Sequence, residues 1–291
     1  MSRAPQIPVR KVPVFNKITR NLTAPEQITQ LFQDGVELIK QGKIPEAESV
    51  FEKVVELSPM HFEALQILAE MAVMTERYDL AIELLTKVLM VDSSHVPSYY
   101  NRGLILQRQN KLDDAIDDYG QAIYFWPDHV EAYSNRGLAW AAKNDFPAAI
   151  ADYEKAIAIN PEYAQAHNNR GVALVEIGEY DAACESYDFA IQHKPDYAEA
   201  YYNRGLALQL QSCYKDAIHS YDLAIALKPD YAEAFNNRGV SLAELNEFDA
   251  AIASYDNALM FNPDYSEASS NKDIAESRKQ EASPIIWFGS D

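Results

Sequence analysis

Apolar residues along this chain recur at helical rather than strand spacing. The stretch VEAYSNRGLAWAAK, residues 130–143, places them at three- and four-residue steps, and PAAIADYEKAIAI, residues 147–159, does the same. Asn144 and Asp145 interrupt the first stretch, and Pro147 suits the first turn of a second helix. That helix is expected to end at Asn160-Pro161, because the residue before a proline is biased away from α backbone. The segment therefore reads as two helices joined by a short turn.

The pair recurs. The tripeptide Asn-Arg-Gly starts at Asn101, Asn135, Asn169, Asn203 and Asn237, each step being 34 residues. Ala47, Ala81, Ala115, Ala149, Ala183, Ala217 and Ala251 keep the same step, as do Pro127, Pro161, Pro195, Pro229 and Pro263. Ser93 and Pro59 continue the proline series backwards. The units are 28–61, 62–95, 96–129, 130–163, 164–197, 198–231 and 232–265. Counted from the first residue of a unit, position 8 is Gly35, Ala69, Gly103, Gly137, Gly171, Gly205 and Gly239. A glycine inside a helix costs about 0.5–1 kcal/mol relative to alanine. Its retention predicts that a side chain of the partner helix sits against that backbone. Position 24 supplies one: Phe51, Leu85, Tyr119, Tyr153, Tyr187, Tyr221 and Tyr255.

With Gly or Ala at position 8, Ala at 20, an aromatic at 24 and Pro at 32, the array resembles the tetratricopeptide repeat. Position 4 adds Tyr99, Tyr133, His167, Tyr201 and Phe235, and position 27 adds Ala122, Ala156, Ala190, Ala224 and Ala258. The first two units depart, with Leu31 and Leu65 at position 4 and Val54 and Val88 at position 27. The resemblance covers residues 28–265. It implies an all-α, right-handed α-solenoid of seven helix-turn-helix repeats, with first helices lining a concave groove and second helices forming its back. Residues 266–282 continue as a polar stretch in phase with an eighth first helix, and are expected to cap the array.

The resemblance assigns the groove to positions 2, 5, 6, 9, 12 and 13. Position 6 holds Asn101, Asn135, Asn169, Asn203 and Asn237. A carboxamide has both a donor and an acceptor, so a column of them suits the backbone of an extended peptide. The column is similar to the asparagine ladder in the repeat arm of O-linked N-acetylglucosamine transferases. Repeat duplication, or solvation of a concave face, also accounts for it. Position 5 supplies Tyr100, Asn168, Tyr202 and Asn236, and position 2 supplies Glu63, Glu131, Glu199 and Glu233. Aromatic and acidic groups together favour a basic or neutral peptide. Glutamates that only keep the surface soluble are the competing account. Some family members grip the C-terminal carboxylate of heat-shock chaperones with basic groove residues; positions 2 and 5 here hold none.

Position 7 holds Arg102, Arg136, Arg170, Arg204 and Arg238. Facing inward, these cations need partners. The acids at position 25, Glu154, Asp188, Asp222 and Asp256, are the candidates, within a unit or across units.

Charge narrows the partner. Among 291 residues, 25 are Lys or Arg and 44 are Asp or Glu, a net charge of −19. Nucleic acids and anionic membrane surfaces are disfavoured partners. No run of 18 apolar residues and no apolar leader core occurs, so the expected compartment is cytoplasmic. No cofactor, metal or catalytic constellation is expected. The glycines are isolated rather than gathered in a phosphate loop. His61, His95 and His129 share position 34 of successive units, too far apart for one metal. Cys184 replaces an isoleucine of other units and reads as a core thiol; Cys213 lies in a turn.

Residues 1–27 read as a basic, proline-containing, flexible tail, with Arg3, Arg10, Lys11, Lys17 and Arg20 and no acid before Glu26. Pro5, Pro8, Pro13 and Pro25 oppose a helix there. A second reading lays this tail along the acidic solenoid. Residues 283–291 form an apolar C-terminal tail containing Ile285, Ile286, Trp287 and Phe288, suited to docking on a partner or a second copy, hence to a homo-oligomer. The expected function is a non-enzymatic scaffold or adaptor that binds a protein or peptide. The alternatives are a substrate-recruiting arm of a glycosyltransferase-type enzyme and an architectural, self-assembling spacer.

Overall fold

The computed structural model describes residues 23–282. These residues form fifteen α-helices and no strand, in two compact units, the first through Ser93 and the second from Ser94. In the first unit, α1 (Ala24–Lys40) pairs with α2 (Ile44–Leu57), and α3 (Phe62–Met74) with α4 (Tyr78–Val91). The second unit has five helix pairs: α5 (Val96–Arg108) with α6 (Leu112–Phe125), α7 (Val130–Ala142) with α8 (Phe146–Ile159), α9 (Ala164–Glu176) with α10 (Tyr180–His193), α11 (Ala198–Leu210) with α12 (Tyr214–Leu227), and α13 (Ala232–Glu244) with α14 (Phe248–Phe261). α15 (Ser266–Ala282) follows. Within each unit every second helix also packs on the next first helix, which is how an all-α solenoid grows. The expectations for residues 1–22 and 283–291 lie outside the described residues.

The turn inside each pair is set by one residue. Position 15 is left-handed in all seven repeats, with φ between 57° and 82°: Gly42, Glu76, Asn110, Asn144, Gly178, Ser212 and Asn246. The next amide then reaches back to a carbonyl five residues earlier, as from Asp145 N to Trp140 O at 3.0 Å and from Cys213 N to Leu208 O at 2.9 Å. That closes the first helix in a Schellman motif and points the chain back along it.

Small residues let the helices approach. The position-20 alanines are fully buried in every repeat. Tyr119, Tyr153, Tyr187, Tyr221 and Tyr255 are the largest fully buried side chains, and each ring lies against the position-8 glycine of its own repeat.

One helix boundary departs from expectation and another coincides with it. α1 starts at Ala24, inside the segment assigned to the tail. Pro25 falls in its first turn, where a missing N–H breaks no helix bond. Glu26 accepts from both Thr23 N (2.8 Å) and Thr23 Oγ1 (2.9 Å), which fixes that start. At the other end, α15 keeps the register of a first helix, with Ala268 and Ala275 fully buried, but it runs straight on for 17 residues. Asp273 stands where the other first helices carry glycine or alanine.

Candidate functional site

The asparagine column lies on α5, α7, α9, α11 and α13, and three of its amides bridge neighbouring first helices. Asn135 Nδ2 donates to Tyr100 Oη at 2.9 Å, Asn203 Nδ2 to Asn168 Oδ1 at 3.0 Å, and Asn237 Nδ2 to Tyr202 Oη at 3.0 Å. Asn271 of α15 donates to Asn236 Oδ1 at 3.0 Å in the same register. Positions 5 and 6, both assigned to a ligand from sequence, are thus joined across repeats as rungs. Each rung consumes one of two amide hydrogens and leaves the second. The carbonyl oxygens of Asn169 and Asn237 receive longer bonds from Asn168 and Asn236, at 3.4 and 3.3 Å. Asn101, at the start of this unit, is exposed.

One rung is open. Position 5 of α7 is Ser134, shorter than the tyrosine or asparagine of the other rungs and 1% exposed. Neither Ser134 Oγ nor Asn169 Nδ2, both buried, has a hydrogen-bond partner. The Tyr163 hydroxyl lies beside Ser134, whose hydroxyl lowers its pKa against the effect of burial.

Beside the column runs a line of tyrosines at position 34, the place held by His61, His95 and His129 in the earlier repeats: Tyr163, Tyr197, Tyr231 and Tyr265. They stand immediately before the first helices, two residues from position 2, which is Gln165, Glu199, Glu233 and Glu267 in turn. Burial is the main cause that pushes all four hydroxyls up, and neighbouring carboxylates add to it. Tyr197 and Tyr202 are both pushed up to about 12, mainly by burial. Tyr163 feels Glu131, Tyr197 feels Glu199, Tyr231 feels Glu199 and Glu233, and Tyr265 feels Glu267 and Glu233. The carboxylates and hydroxyls therefore share one track, with Gln165 in place of a carboxylate between Tyr163 and Tyr197. Lys194 and Lys228 sit over the ring faces of Tyr197 and Tyr231, at 4.5 and 4.3 Å. Glu131, Glu199 and Glu233 are exposed. Glu131 lies 3.1 Å from His129 Nδ1, whereas Glu199 and Glu233 have no ion pair among the described residues. The repeat period was the signal for the tyrosines, since they keep the 34-residue step.

The position-7 arginines face away from this track and follow a two-way rule. Arg102 and Arg136 fork onto Asp118 and Asp152 of their own repeats, through pairs of bonds at 2.7–2.8 Å. Asp118 and Asp152 stand at position 23, which sequence reading did not consider. Arg170, Arg204 and Arg238 instead pair with Glu154, Asp188 and Asp222 of the preceding repeat, at 3.6, 2.7 and 2.6 Å. These are the expected position-25 acids, reached across repeats. Arg204 Nε is close to Asp188, yet its N–H is not aligned on the carboxylate, so this is an ion pair and not a formed hydrogen bond. The fourth expected acid, Asp256, holds Lys272 of α15 at 2.7 Å.

Cys184 is half-buried and packs near Leu174 and Tyr187, with its thiol raised by burial; Cys213 is exposed. Among the described residues there is no group of three or more metal-ligating side chains. None of the described helices is long and apolar enough to cross a membrane.

Comparison with known proteins agrees with the geometry. Models described as tetratricopeptide repeat match residues 33–94, 96–129, 198–231 and 232–265, and one described as TPR repeat matches 138–178 and 173–212. The chain is similar to YrrB, described as a TPR protein with an unusual peptide-binding site: TM-score 0.56, 24% identity, 66% of this chain and 100% of YrrB. It is similar to MamA at TM-score 0.54 and 27% identity, over 57% of this chain and 97% of MamA. It is also similar to the C-terminal part of a TPR repeat-containing protein from Cytophaga hutchinsonii, at TM-score 0.68 and 21% identity, over 82% and 98%. The fixed 34-residue step, the ring-on-glycine packing and these matches lead to one assignment: the chain belongs to the tetratricopeptide repeat superfamily, whose members serve as protein-interaction scaffolds.

Proposed function

We propose that the first-helix face of residues 96–282 is a groove that binds an extended protein segment, basic or neutral, and that the chain acts as an adaptor without a catalytic step of its own. The observation that carries this reading is the asparagine column at one-repeat spacing. After the rungs are made, each of these carboxamides keeps an amide hydrogen, and each keeps acceptor capacity on its oxygen. A bound peptide unit needs one of each. The position-2 carboxylates and position-34 hydroxyls beside the column favour a partner that brings cations or donors.

The test is selection from a displayed random-peptide library. Wild type is compared with Asn135→Ala/Asn169→Ala/Asn203→Ala and with Glu185→Ala, an exposed change on α10. Thermal unfolding confirms that all three are folded at the selection temperature. Peptides recovered by wild type and by Glu185→Ala, but lost by the triple variant, support the groove. Equal recovery by all three overturns it.

A further inference from the structure

The track of carboxylates and hydroxyls has a period, and a period implies a spacing in what it binds. Successive first helices touch along the second unit, and helices in contact lie roughly 8–10 Å apart. An extended chain advances roughly 3.3 Å per residue. One repeat therefore corresponds to about three residues of an extended occupant.

Many cations of this unit pair with acids other than the position-2 glutamates, while Lys194 and Lys228 lie over the Tyr197 and Tyr231 rings. The position-7 arginines and Lys272 take the position-23 and position-25 acids, Arg278 takes Glu244, and Lys143 and Lys279 take Asp113 and Asp249. Glu199 and Glu233 have no such partner among the described residues, and both act on the Tyr231 hydroxyl. A glutamate in the first turn of a helix also complements the helix dipole, so the acids alone would define no site. The open rung is the independent sign. Ser134 is 1% exposed and Asn169 Nδ2 is buried, and both lack partners where every other rung of this unit is closed. Buried polar groups are normally satisfied, so an unfilled donor in a binding column marks a place for a ligand acceptor. It adjoins Tyr163 and hence Glu131, at one end of the track.

We propose that this track binds an extended segment carrying basic side chains at three-residue intervals. Its cations lie on Glu131, Glu199, Glu233 and Glu267, and a backbone carbonyl accepts from Asn169. Position 2 of the intervening repeat is Gln165, so the pattern has one neutral gap: basic residues about six, then three, then three residues apart. This rests on the groove reading and narrows its partner.

Three labelled peptides of equal length test it by fluorescence anisotropy at physiological salt. One has arginines at the proposed spacing in a Ser/Gly background. One has the same arginines contiguous, and one has none. The spaced peptide is expected to bind about tenfold more tightly than the contiguous isomer, and to lose about tenfold with Glu199→Gln/Glu233→Gln. Equal affinity for the two arginine peptides overturns the proposal in favour of general charge attraction. Indifference to the double variant also overturns it. If the neutral peptide binds as tightly as the spaced one and the asparagine variants lose both, the groove stands and the cation spacing falls. If no peptide binds, the spacing proposal falls and the library selection decides the groove on its own.

Discussion

The ring of Tyr221 lies so close to the backbone of Gly205 that a methyl carbon on that glycine would stand 2.5 Å from Cε1. The corresponding distance is 2.6 Å at Gly137 with Tyr153 and at Gly171 with Tyr187. Tyr221 is fully buried, so its ring has nowhere to swing. The repeat at 62–95 carries Ala69 and Leu85 at these positions, where a smaller side chain accompanies the added methyl.

Gly205→Ala is therefore expected to destabilise the fold by about 1–2 kcal/mol, because overpacking outweighs the gain in helix propensity. Combined with Tyr221→Leu, it is expected to cost at least about 1 kcal/mol less than the sum of the two single changes. Urea titrations of the four proteins measure this, and strict additivity would mean that the ring does not limit the backbone.

The left-handed turn gives an opposite pair of effects. A Cβ at Gly178 would meet nothing within 4 Å, yet its φ is 82°. Gly178→Ala is expected to cost about 1 kcal/mol through backbone strain alone. Ser212 holds φ at 61° with a side chain, so Ser212→Gly is expected to be neutral or stabilising by up to about 1 kcal/mol. Thermal unfolding of both variants reads the two signs.

Arg136 pairs with Asp152 in its own repeat, and position 25 of the repeat before it is Gly120. A Cβ on Gly120 would lie 3.6 Å from Arg136 Nη1, so an acid there is within reach. Asp152→Ser is expected to cost about 2 kcal/mol by stranding a largely buried guanidinium. Adding Gly120→Asp is expected to recover part of that loss by converting Arg136 to the across-repeat pairing of Arg204 and Arg238. A double-mutant cycle in chemical denaturation shows the recovery or its absence.

His167 is 5% exposed, and its Nε2 lies 2.9 Å from Pro161 O while buried Nδ1 has no partner. Burial lowers its pKa below 6.5, helped by His193 and Arg170, the charged groups beside it. The unfolded chain therefore binds a proton more readily than the folded one. Stability from this residue is full above about pH 6.5 and is lost as pH falls toward the lower folded value. His167→Phe, which matches Phe235 at the same repeat position, is expected to flatten that part of the pH–stability curve. Midpoints measured between pH 7 and pH 5 test the difference.

Much of the architecture was legible because it is written seven times. The glycine and the large side chain share one period, and their packing follows from it. The turn residue was hidden, since Gly42, Glu76, Asn110 and Ser212 look unrelated until their common backbone angle is known. The arginine partners were half legible. Acids at position 25 stood out, while Asp118 and Asp152 face their arginines only once two antiparallel helices are laid side by side. The rungs were missed for a different reason. Positions 5 and 6 both read as groove residues, and nothing in their spacing says that one repeat's amide ends on its neighbour's side chain.

The arginine rule also makes the order of repeats matter. Excising residues 198–231 would place Arg238 after a repeat that ends its row with Asp188, so its cation would still find an acid. Excising residues 130–163 would place Arg170 after Gly120 while its own position 23 is Ser186, leaving no acid on either side. Two deletions of equal length, each removing one whole repeat, are therefore chemically different. Shortening of this array is expected to cost more at some seams than at others, and the difference can be read from two residues per repeat.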